Sequence, residues 1–306
     1  MSTKPAVAII GAGRVGTALG ILLHRRGYPI RGVVCRSLER AEASVRLIGQ
    51  GVPCTDAAFG AAGAQVVLIT VPDGAIVEAA RQVRTGRRFG PGDLLVHTSG
   101  ALPASVLRGG APEDGGGCLS MHPIQSVAEP RSGAERLVGA YFGLEGDPQA
   151  VEAGERIVAD IGGVPLRLAP GAKALYHAAA CVASNYLVTL IDVSLRLLEQ
   201  AGVGRRDGLA ALERLISATA ANAAALGVPE ALTGPIERGD AQTIDAHLEA
   251  LGSLSPGAGR ESIEAVYRAL GLATLSLALR KKAQEGTAPG RLGPGYEQIE
   301  RMLTAK

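Results

Sequence analysis

Short apolar runs alternate with longer amphipathic segments through the first half of the chain. The runs cover residues 7–10, 30–35, 65–72, 94–100, 117–123, 141–144 and 164–168. Because apolar strands that alternate with helices are typical of parallel sheets with crossover connections, this half is predicted to form a doubly wound, mostly parallel α/β sheet. Each run ends in polar or conformationally special residues, as expected where strand ends border a binding crevice. Residues 108–117, rich in glycine and proline, are predicted to form a surface loop.

The pattern changes near residues 169–171, and the second half is predicted to be all-helical. From Lys173 to Gln200 the chain contains neither proline nor glycine, which predicts one helix of about 40 Å at about 1.5 Å per residue. Further helices are predicted at residues 206–226, 241–251 and 261–282, and from residue 296 onward. The predicted domains are therefore 1–169 and 170–306. The alanine- and leucine-rich faces of the second half favour a homodimer built through it.

The first apolar run leads into a glycine-rich turn and then a helical segment. The turn reads Gly11, Ala12, Gly13, Arg14, Val15, Gly16. In a dinucleotide-binding turn the first glycine makes the tight bend, the second lets the backbone approach a pyrophosphate, and the third lets helix and strand pack closely. Because the turn follows a strand and opens a helix, it predicts a Rossmann domain that holds a dinucleotide on a helix N-terminus.

The residues after the second run distinguish between the two nicotinamide dinucleotides. NAD-selective sites usually carry an acidic residue here for the ribose 2′-hydroxyl, whereas this chain has Arg36, Ser37 and Arg40. Positive charge and a hydroxyl suit a 2′-phosphate, so the predicted cofactor is NADP(H). Val71 and Pro72, at the end of the third run, and Thr98, at the end of the fourth, are predicted to complete the cofactor wall.

Candidate substrate residues lie at later strand ends and on the long helix. Ser99 and His122 end two neighbouring runs, where a hydroxyl and an imidazole can position a substrate oxygen or move a proton. Lys173 and His177 are four residues apart and share a helix face, to which Ser184 nearly returns. A partly desolvated Lys173 would have a lowered pKa and could act as a general acid.

The polar loop from Thr233 to Asp240 allows two interpretations. Arg238 could reach a substrate carboxylate, or the loop could be a plain connection in which Asp240 caps the next helix.

Composition narrows the function classes. The net charge is +2, and three Phe, six Tyr and no Trp leave few surfaces on which bases could stack, so nucleic-acid binding is not expected. Four scattered cysteines are typical of a reducing compartment. The histidines lack metal-ligand spacing, and no metal is predicted. Polar residues interrupt the long apolar helix, so we expect a soluble cytoplasmic protein that does not associate with membranes.

Together these segments resemble a family of Rossmann-like oxidoreductases with a domain of unknown function, which pair an NADP-binding domain with a helical domain similar to the C-terminal part of 6-phosphogluconate dehydrogenase. The resemblance is carried by Gly11 to Gly16, His97 to Gly100, His122-Pro123 with Gln125, Lys173 to Asn185, and Thr233 to Asp240. More distantly the chain is similar to ketopantoate reductase, the 3-hydroxyisobutyrate dehydrogenases and pyrroline-5-carboxylate reductase. In the first two, a lysine and an asparagine four residues later handle the substrate. Here Lys173 matches the lysine, and His177 occupies the second position.

The resemblance implies an NADPH-dependent reductase of a small carboxylate that bears a C=O or C=N group, with ketopantoate-like 2-oxo acids first. In this hypothesis Ser99, His122 and Asn185 orient the substrate, and Lys173 or His177 supplies the proton. An imine or pyrroline-carboxylate reductase is one alternative. A prephenate-type dehydrogenase is another, because such enzymes carry a similar His-Pro pair. A sensor or scaffold that binds NADP(H) without catalysis is an alternative of another class.

Overall fold

The computed structural model describes residues 4–109, 115–254, 260–287 and 293–305. By its internal contacts the chain divides into two compact units, Met1–Ala183 and Ser184–Lys306. The helix that starts at Lys173 thus belongs to the first unit. The boundary at residue 169 stays a prediction.

The first unit is built on one sheet. Its described residues form β1 (Val7–Ile10), β2 (Ile30–Val34), β3 (Val52–Cys54), β4 (Val66–Ile69), β5 (Leu94–His97), β6 (Gly117–Pro123), β7 (Tyr141–Gly146) and β8 (Val164–Arg167). The strand order is β3-β2-β1-β4-β5-β6-β7-β8. Every neighbouring pair is parallel except β6 and β7. The first six strands follow the Rossmann order, which confirms the predicted fold class.

Helices and apolar side chains cover both faces of this sheet. The helices are α1 (Arg14–Arg25), α2 (Leu38–Ile48), α3 (Ala57–Gly60), α4 (Ile76–Gly86), α5 (Pro130–Leu137), α6 (Pro148–Asp160) and α7 (Lys173–Ala183), with 3-10 turns at Asp73–Ala75 and Ala104–Arg108. Successive strand residues alternate between two apolar clusters, as Leu68 and Val96 lie in one cluster and Ile69 and Leu95 in the other. A parallel sheet buried on both faces therefore explains the uninterrupted apolar runs.

Two details of the first unit differ from the sequence prediction. β3 has no counterpart among the predicted runs, because it is three residues long, contains Pro53 and leaves Val52 exposed. The predicted surface loop at 108–117 overlaps the start of β6 at Gly117 and the end of a 3-10 turn at Arg108. Residues 110–114 of that loop lie outside the described residues.

The second unit is helical throughout its described residues, as predicted. It contains α8 (Asn185–Gln200), α9 (Arg205–Leu226), α10 (Val228–Ala231), α11 (Pro235–Arg238), α12 (Ala241–Gly252), α13 (Arg260–Gln284) and α14 (Pro294–Thr304). The single helix predicted at residues 173–200 is instead α7 and α8, which meet at Ser184. The polar loop contains α11, and Asp240 caps α12 by accepting from the Thr243 N–H at 3.1 Å.

Two helical stretches, Lys173–Gln200 and Arg260–Gln284, are long and apolar enough to cross a membrane by length and composition alone. Core helices of soluble proteins pass the same test, so this evidence is weak. Lys173, Tyr176 and His177 contact side chains or backbone of the sheet unit. The first turns of the Lys173–Gln200 stretch therefore pack against other residues of the sheet unit.

Candidate active site

Two of the three glycines in the turn after β1 are required by protein packing. Gly11 has a φ of +87°, and a Cβ there would lie 2.4 Å from Val71 Cγ1. A Cβ on Gly16 would lie 2.2 Å from Thr70 Oγ1. Neither position admits a side chain, because Thr70 and Val71, the two residues that follow β4, lie directly behind the turn.

Gly13 is different, because nothing in the protein crowds it. The nearest atom to a Cβ at this position is the Gly11 carbonyl oxygen at 3.8 Å. Gly13 is exposed and is the N-cap of α1, with an ordinary φ of −81° and no side-chain cap. The first turn of α1 carries no acidic residue. A bare, uncapped helix N-terminus of this kind fits the phosphates of a dinucleotide.

The remaining predicted cofactor residues line neighbouring strand ends. Arg14, Arg36 and Ser37 are exposed, and Ser37 is the N-cap of α2 without a side-chain hydrogen bond. β1 and β2 are adjacent and parallel, so their carboxyl ends share one edge. The side chains that a 2′-phosphate would need are therefore open to solvent.

Of the wall residues, Val71 packs against Gly11, Pro72 is exposed, and Thr98 is half-buried after β5. The Ala12 carbonyl oxygen accepts hydrogen bonds from the hydroxyls of Thr17 and Ser44, at 3.2 and 3.0 Å. The cofactor roles of all these residues stay predictions.

Ser99 is buried and its polar groups are fully engaged. Its Oγ donates to Asp73 Oδ2 at 2.8 Å and accepts from the N–H groups of Ala101 and Leu102 at 3.2 and 3.1 Å. Its carbonyl oxygen accepts from Lys173 Nζ at 2.8 Å. These hydrogen bonds fix the loop after β5. They also occupy Ser99 Oγ both as a donor and as an acceptor.

Lys173 is 2% exposed, which is rare for a lysine. Burial lowers the pKa of its ammonium to about 8, and the carboxylates of Glu145 and Asp73 oppose the shift. Its Nζ lies 5.4 Å from the centre of the Tyr176 ring. The predicted desolvation is therefore present, and this lysine holds a proton that it can release near neutral pH.

Two neutral histidines stand at the ends of β5 and β6. Burial, helped by the Lys173 charge, lowers the pKa of both His97 and His122 to about 4, while the Asp73 charge opposes the shift. His97 uses both ring nitrogens internally, since Nδ1 accepts from the Ser99 N–H at 3.1 Å and Nε2 lies 3.2 Å from the Pro103 carbonyl oxygen. His122 Nδ1 lies 2.9 Å from the Tyr176 hydroxyl.

His177 packs against Gly100 in the loop after β5. A Cβ on Gly100 would lie 2.3 Å from His177 Nδ1 and 3.0 Å from His122 Nε2. His177 Nδ1 is buried without a hydrogen-bond partner among the described residues, and its Nε2 lies 3.6 Å from Cys181 Sγ. The two imidazoles thus both lie against Gly100, with ring centres 5.8 Å apart at 89°.

The structure brings together four of the five predicted catalytic residues: Ser99, His122, Lys173 and His177. Asn185 is exposed and belongs to the second unit, so its role stays a prediction. Gln125 is exposed and donates to the Arg136 carbonyl oxygen at 3.4 Å. Arg238 is also exposed and lies one residue before the turn into α12.

Sequence reasoning gave no site role to Asp73, His97, Tyr176 or Glu145, which the structure places around the same loop. The signal for Tyr176 was its spacing, because a residue three after Lys173 shares its helix face. The local pattern carried no signal for Glu145, which accepts from the Ala104 N–H at 2.8 Å. Among the described residues, no group of three or more His, Cys, Asp or Glu could hold a metal ion.

Protein-family comparison matches the two halves of the chain separately. Residues 2–123 match the model of a Rossmann-like domain, and residues 140–274 match that of a domain of unknown function, DUF2520. These matches confirm the predicted resemblance in both halves.

Individual relatives are more remote. Glycerol-3-phosphate dehydrogenase [NAD(P)+] from Moorella thermoacetica is 32% identical over 112 residues. The chain spans about a third of that curated relative, and the match covers 32% of each protein.

Among solved structures, BF3122 from Bacteroides fragilis, a proposed NADP oxidoreductase, is 23% identical with a TM-score of 0.68, covering 90% of this chain and 98% of that one. Pyrroline-5-carboxylate reductase from Streptococcus pyogenes is 17% identical with a TM-score of 0.60, covering 94% and 99%. At these identities the likeness shows the fold.

Proposed function

We propose that this protein is an NADP(H)-dependent oxidoreductase that reduces a C=O or C=N group of a small carboxylate, with 2-oxo acids as the first candidates. One observation carries the proposal. The uncapped glycine turn after β1 and the cluster of Ser99, His122, Lys173 and His177 lie at the carboxyl-end edge of the parallel strands β1 to β6. Rossmann domains bind the dinucleotide and substrate along this edge.

The cofactor assignment rests on Gly13 and on the cations after β2. The protein leaves Gly13 uncrowded, as a closely approaching pyrophosphate requires. Arg36 and Ser37 occupy the position where NAD-selective sites carry an acid. The relatives whose names include NADP or NAD(P)+ agree with a nicotinamide cofactor.

The site residues support proton delivery during reduction. When bound, the reduced nicotinamide supplies the hydride. Hydride addition to a carbonyl carbon leaves negative charge on the oxygen, which neutral N–H donors and an ammonium stabilise. Lys173, with a pKa of about 8, is protonated at pH 7 and close enough in pKa to give the proton up. His122 is neutral there, because its pKa lies near 4.

A C=N substrate is the second candidate, supported by the likeness to a pyrroline-5-carboxylate reductase. The Lys173 charge disfavours a cationic imine next to it, which places 2-oxo acids first. A substrate panel that contains both classes separates them.

The second copy of this chain is the proposed partner. The helices of the second unit expose large apolar side chains, among them Tyr186, Val188, Leu215 and Leu226. Exposed apolar surface on this scale favours association through that unit.

The primary experiment is a titration with NADPH and with NADH, followed by nicotinamide fluorescence. A panel of 2-oxo acids and cyclic imines is then added to the NADPH complex. Selective binding of NADPH and its oxidation by one panel member would support the proposal. The absence of binding by either nucleotide would overturn the cofactor assignment. Tight binding without turnover of any member would favour a non-catalytic role.

Replacement of the buried lysine tests the proton donor. Lys173→Met should lower kcat about 100-fold or more while the dissociation constant for NADPH changes little. Lys4→Met is the matched control. Lys4 lies before the amino end of β1, away from the carboxyl-end edge of the sheet, and its ammonium pairs with Asp160. If Lys173→Met turns over at the wild-type rate, the donor is another group.

A further inference from the structure

The carbonyl oxygen of Ala12, inside the glycine-rich turn after β1, is surrounded by side-chain donors from three elements. Ser44 Oγ on α2 donates to it at 3.0 Å, and Thr17 Oγ1 on α1 lies 3.2 Å from it. Cys35 Sγ, which follows β2, lies 3.6 Å away. The reaction scheme above gives these side chains no role. One backbone atom of the turn is thus the target of three side chains.

The two hydroxyls hold this oxygen whichever way Thr17 donates. Each hydroxyl has one proton. Ser44 gives its proton to the Ala12 oxygen, whereas Thr17 Oγ1 lies 3.2 Å both from that oxygen and from Ser44 Oγ. If Thr17 donates to Ser44, it completes a chain that ends at the oxygen. If it donates to the oxygen, the oxygen accepts from both hydroxyls.

Both hydroxyl donors are buried, so the carbonyl oxygen that they hold lies in the interior of the unit. Thr17 is 1% exposed and Ser44 is 7% exposed, whereas Gly13, the next residue of the turn, is exposed. The N–H groups of Arg14 and Val15 have no backbone acceptor within the described part of the chain. The turn thus keeps this oxygen inside and leaves helix N–H groups outside for an anion.

Gly13 would let the preceding peptide rotate if nothing held it. Rotation of the peptide between Ala12 and Gly13 changes the φ of Gly13, which is −81° in the structure. Glycine adopts positive φ about as readily as negative φ, and the nearest atom to a Cβ at this position lies 3.8 Å away. A rotated peptide would turn the Ala12 oxygen, the negative end of the peptide dipole, toward the side where the phosphates approach. The freedom of Gly13 therefore requires a device that fixes this peptide.

We propose that Ser44 and Thr17 are positioning residues for the dinucleotide, because their hydroxyls hold the Ala12 carbonyl oxygen in the interior and keep it away from the pyrophosphate. This inference rests on the proposed function, and it extends the cofactor site to two buried residues behind the turn. Hydroxyls buried between α1 and α2 cost desolvation that apolar side chains would avoid. A role in fixing the turn accounts for their presence there.

The test compares two ligands that differ in the pyrophosphate. NADPH contains it, whereas adenosine 2′-phosphate does not. Fluorescence titration gives the dissociation constant of NADPH, and competition against NADPH gives that of adenosine 2′-phosphate. In the double variant Thr17→Val, Ser44→Ala the constant for NADPH should rise about tenfold, which is equivalent to roughly one hydrogen bond. The constant for adenosine 2′-phosphate should stay the same. Each single variant keeps one donor and should show a smaller rise, and it provides the same comparison should the double variant fail to fold.

Two further variants serve as controls. Thr17→Ser keeps the hydroxyl and should bind NADPH as the wild type does. Thr85→Val removes an exposed hydroxyl on α4 that donates to the Gln82 carbonyl oxygen at 2.7 Å, and it should leave both constants unchanged.

Two results would overturn the positioning role while the cofactor assignment stands. One is an unchanged NADPH constant in the double variant. The other is an equal rise for both ligands, which would mean that the substitutions loosen the whole unit. A wild type that binds no NADPH would overturn the cofactor assignment itself, and this inference with it.

Discussion

The central strands of the sheet unit bury their apolar residues completely, whereas helix α9 of the helical unit leaves most of its own exposed. Ile9 on β1, Leu68 on β4 and Leu119 on β6 have no exposed surface. On α9, which spans 22 residues, only Gly208 is buried, and Leu209, Leu215 and Leu226 are 50%, 63% and 60% exposed. Apolar side chains are therefore covered within their own unit on these strands but not on α9.

The difference teaches what an apolar pattern can predict. In a sheet the neighbours of a strand are other strands and crossover helices of the same unit, so its apolar run is covered as the unit folds. An apolar helix face specifies only that something must cover it. The pattern thus predicts the elements of both units, but it identifies the covering surface only in the first.

The largest expected effect is a difference in the free energy of unfolding between two variants, each with one leucine of one unit replaced by alanine. Leu119→Ala should lower the free energy of unfolding by roughly 2–5 kcal/mol, because it opens a cavity in a closed core. Leu215→Ala should change it by less than about 0.5 kcal/mol when measured at concentrations too low for association. Urea denaturation of both variants measures the contrast. Similar losses in the two variants would mean that α9 is packed as tightly as the sheet.

Acid should destabilise the sheet unit through its two histidines of lowered pKa, His97 and His122. His97 has no exposed surface, and its folded pKa of about 4 lies below the unfolded value of 6.5. The unfolded chain therefore binds more protons between these values, and stability falls as the pH drops from 6.5 toward 4. The shift corresponds to about 3 kcal/mol at about 1.4 kcal/mol per pKa unit.

Denaturant unfolding at several pH values checks this. The slope of the unfolding free energy against pH gives the number of protons taken up on unfolding. Between pH 4 and 6.5 this number should be smaller in His97→Gln by close to one. Equal slopes in wild type and variant would show that another group titrates there.

Association should depend on the exposed face of α9. Leu215→Asp would bury a carboxylate in the proposed homodimer, and the dissociation constant should rise about 100-fold, equivalent to roughly 3 kcal/mol. Leu38→Asp, at a similarly exposed position on α2, should leave it unchanged. Sedimentation equilibrium without detergent measures both. A wild type that sediments as a monomer at every concentration would contradict the proposed partner.

The smallest effect should come from the open glycine of the cofactor turn. Gly13→Ala adds a methyl group where the protein leaves space, so the free energy of unfolding should change little. A phosphate that approaches this backbone would meet the methyl group, and NADPH affinity should fall about tenfold, or about 1.4 kcal/mol. Fluorescence titration and thermal denaturation on the same sample separate the two effects. Unchanged affinity would place the pyrophosphate elsewhere.

Most elements of the fold could be predicted from the sequence, and the exceptions have physical causes. Long helices such as α12 and α13 begin and end within about two residues of their predicted bounds, because their pattern persists over several turns. β3 could not be recognised, since it owes its place to pairing with β2 and not to an apolar run of its own.

The candidate site could be predicted in part. The shared helix face of Lys173 and His177 follows from their spacing. Their targets do not, because Lys173 reaches the Ser99 carbonyl across 74 residues of chain. The same holds for Tyr176 and His122, which are 54 residues apart. Contacts between distant segments are set by the strand order of the sheet, which local patterns do not contain.

If the proposed dinucleotide binds the uncapped N-terminus of α1, the folding equilibrium depends on the dinucleotide concentration. Its first N–H groups lack a side-chain acceptor, so an anion bound there adds hydrogen bonds that the unfolded chain cannot make. A ligand that binds only the native state stabilises it by about 2.7 kcal/mol at about one hundred times its dissociation constant. The melting temperature of the protein would then rise with dinucleotide concentration, and a thermal shift would report occupancy before any substrate is known.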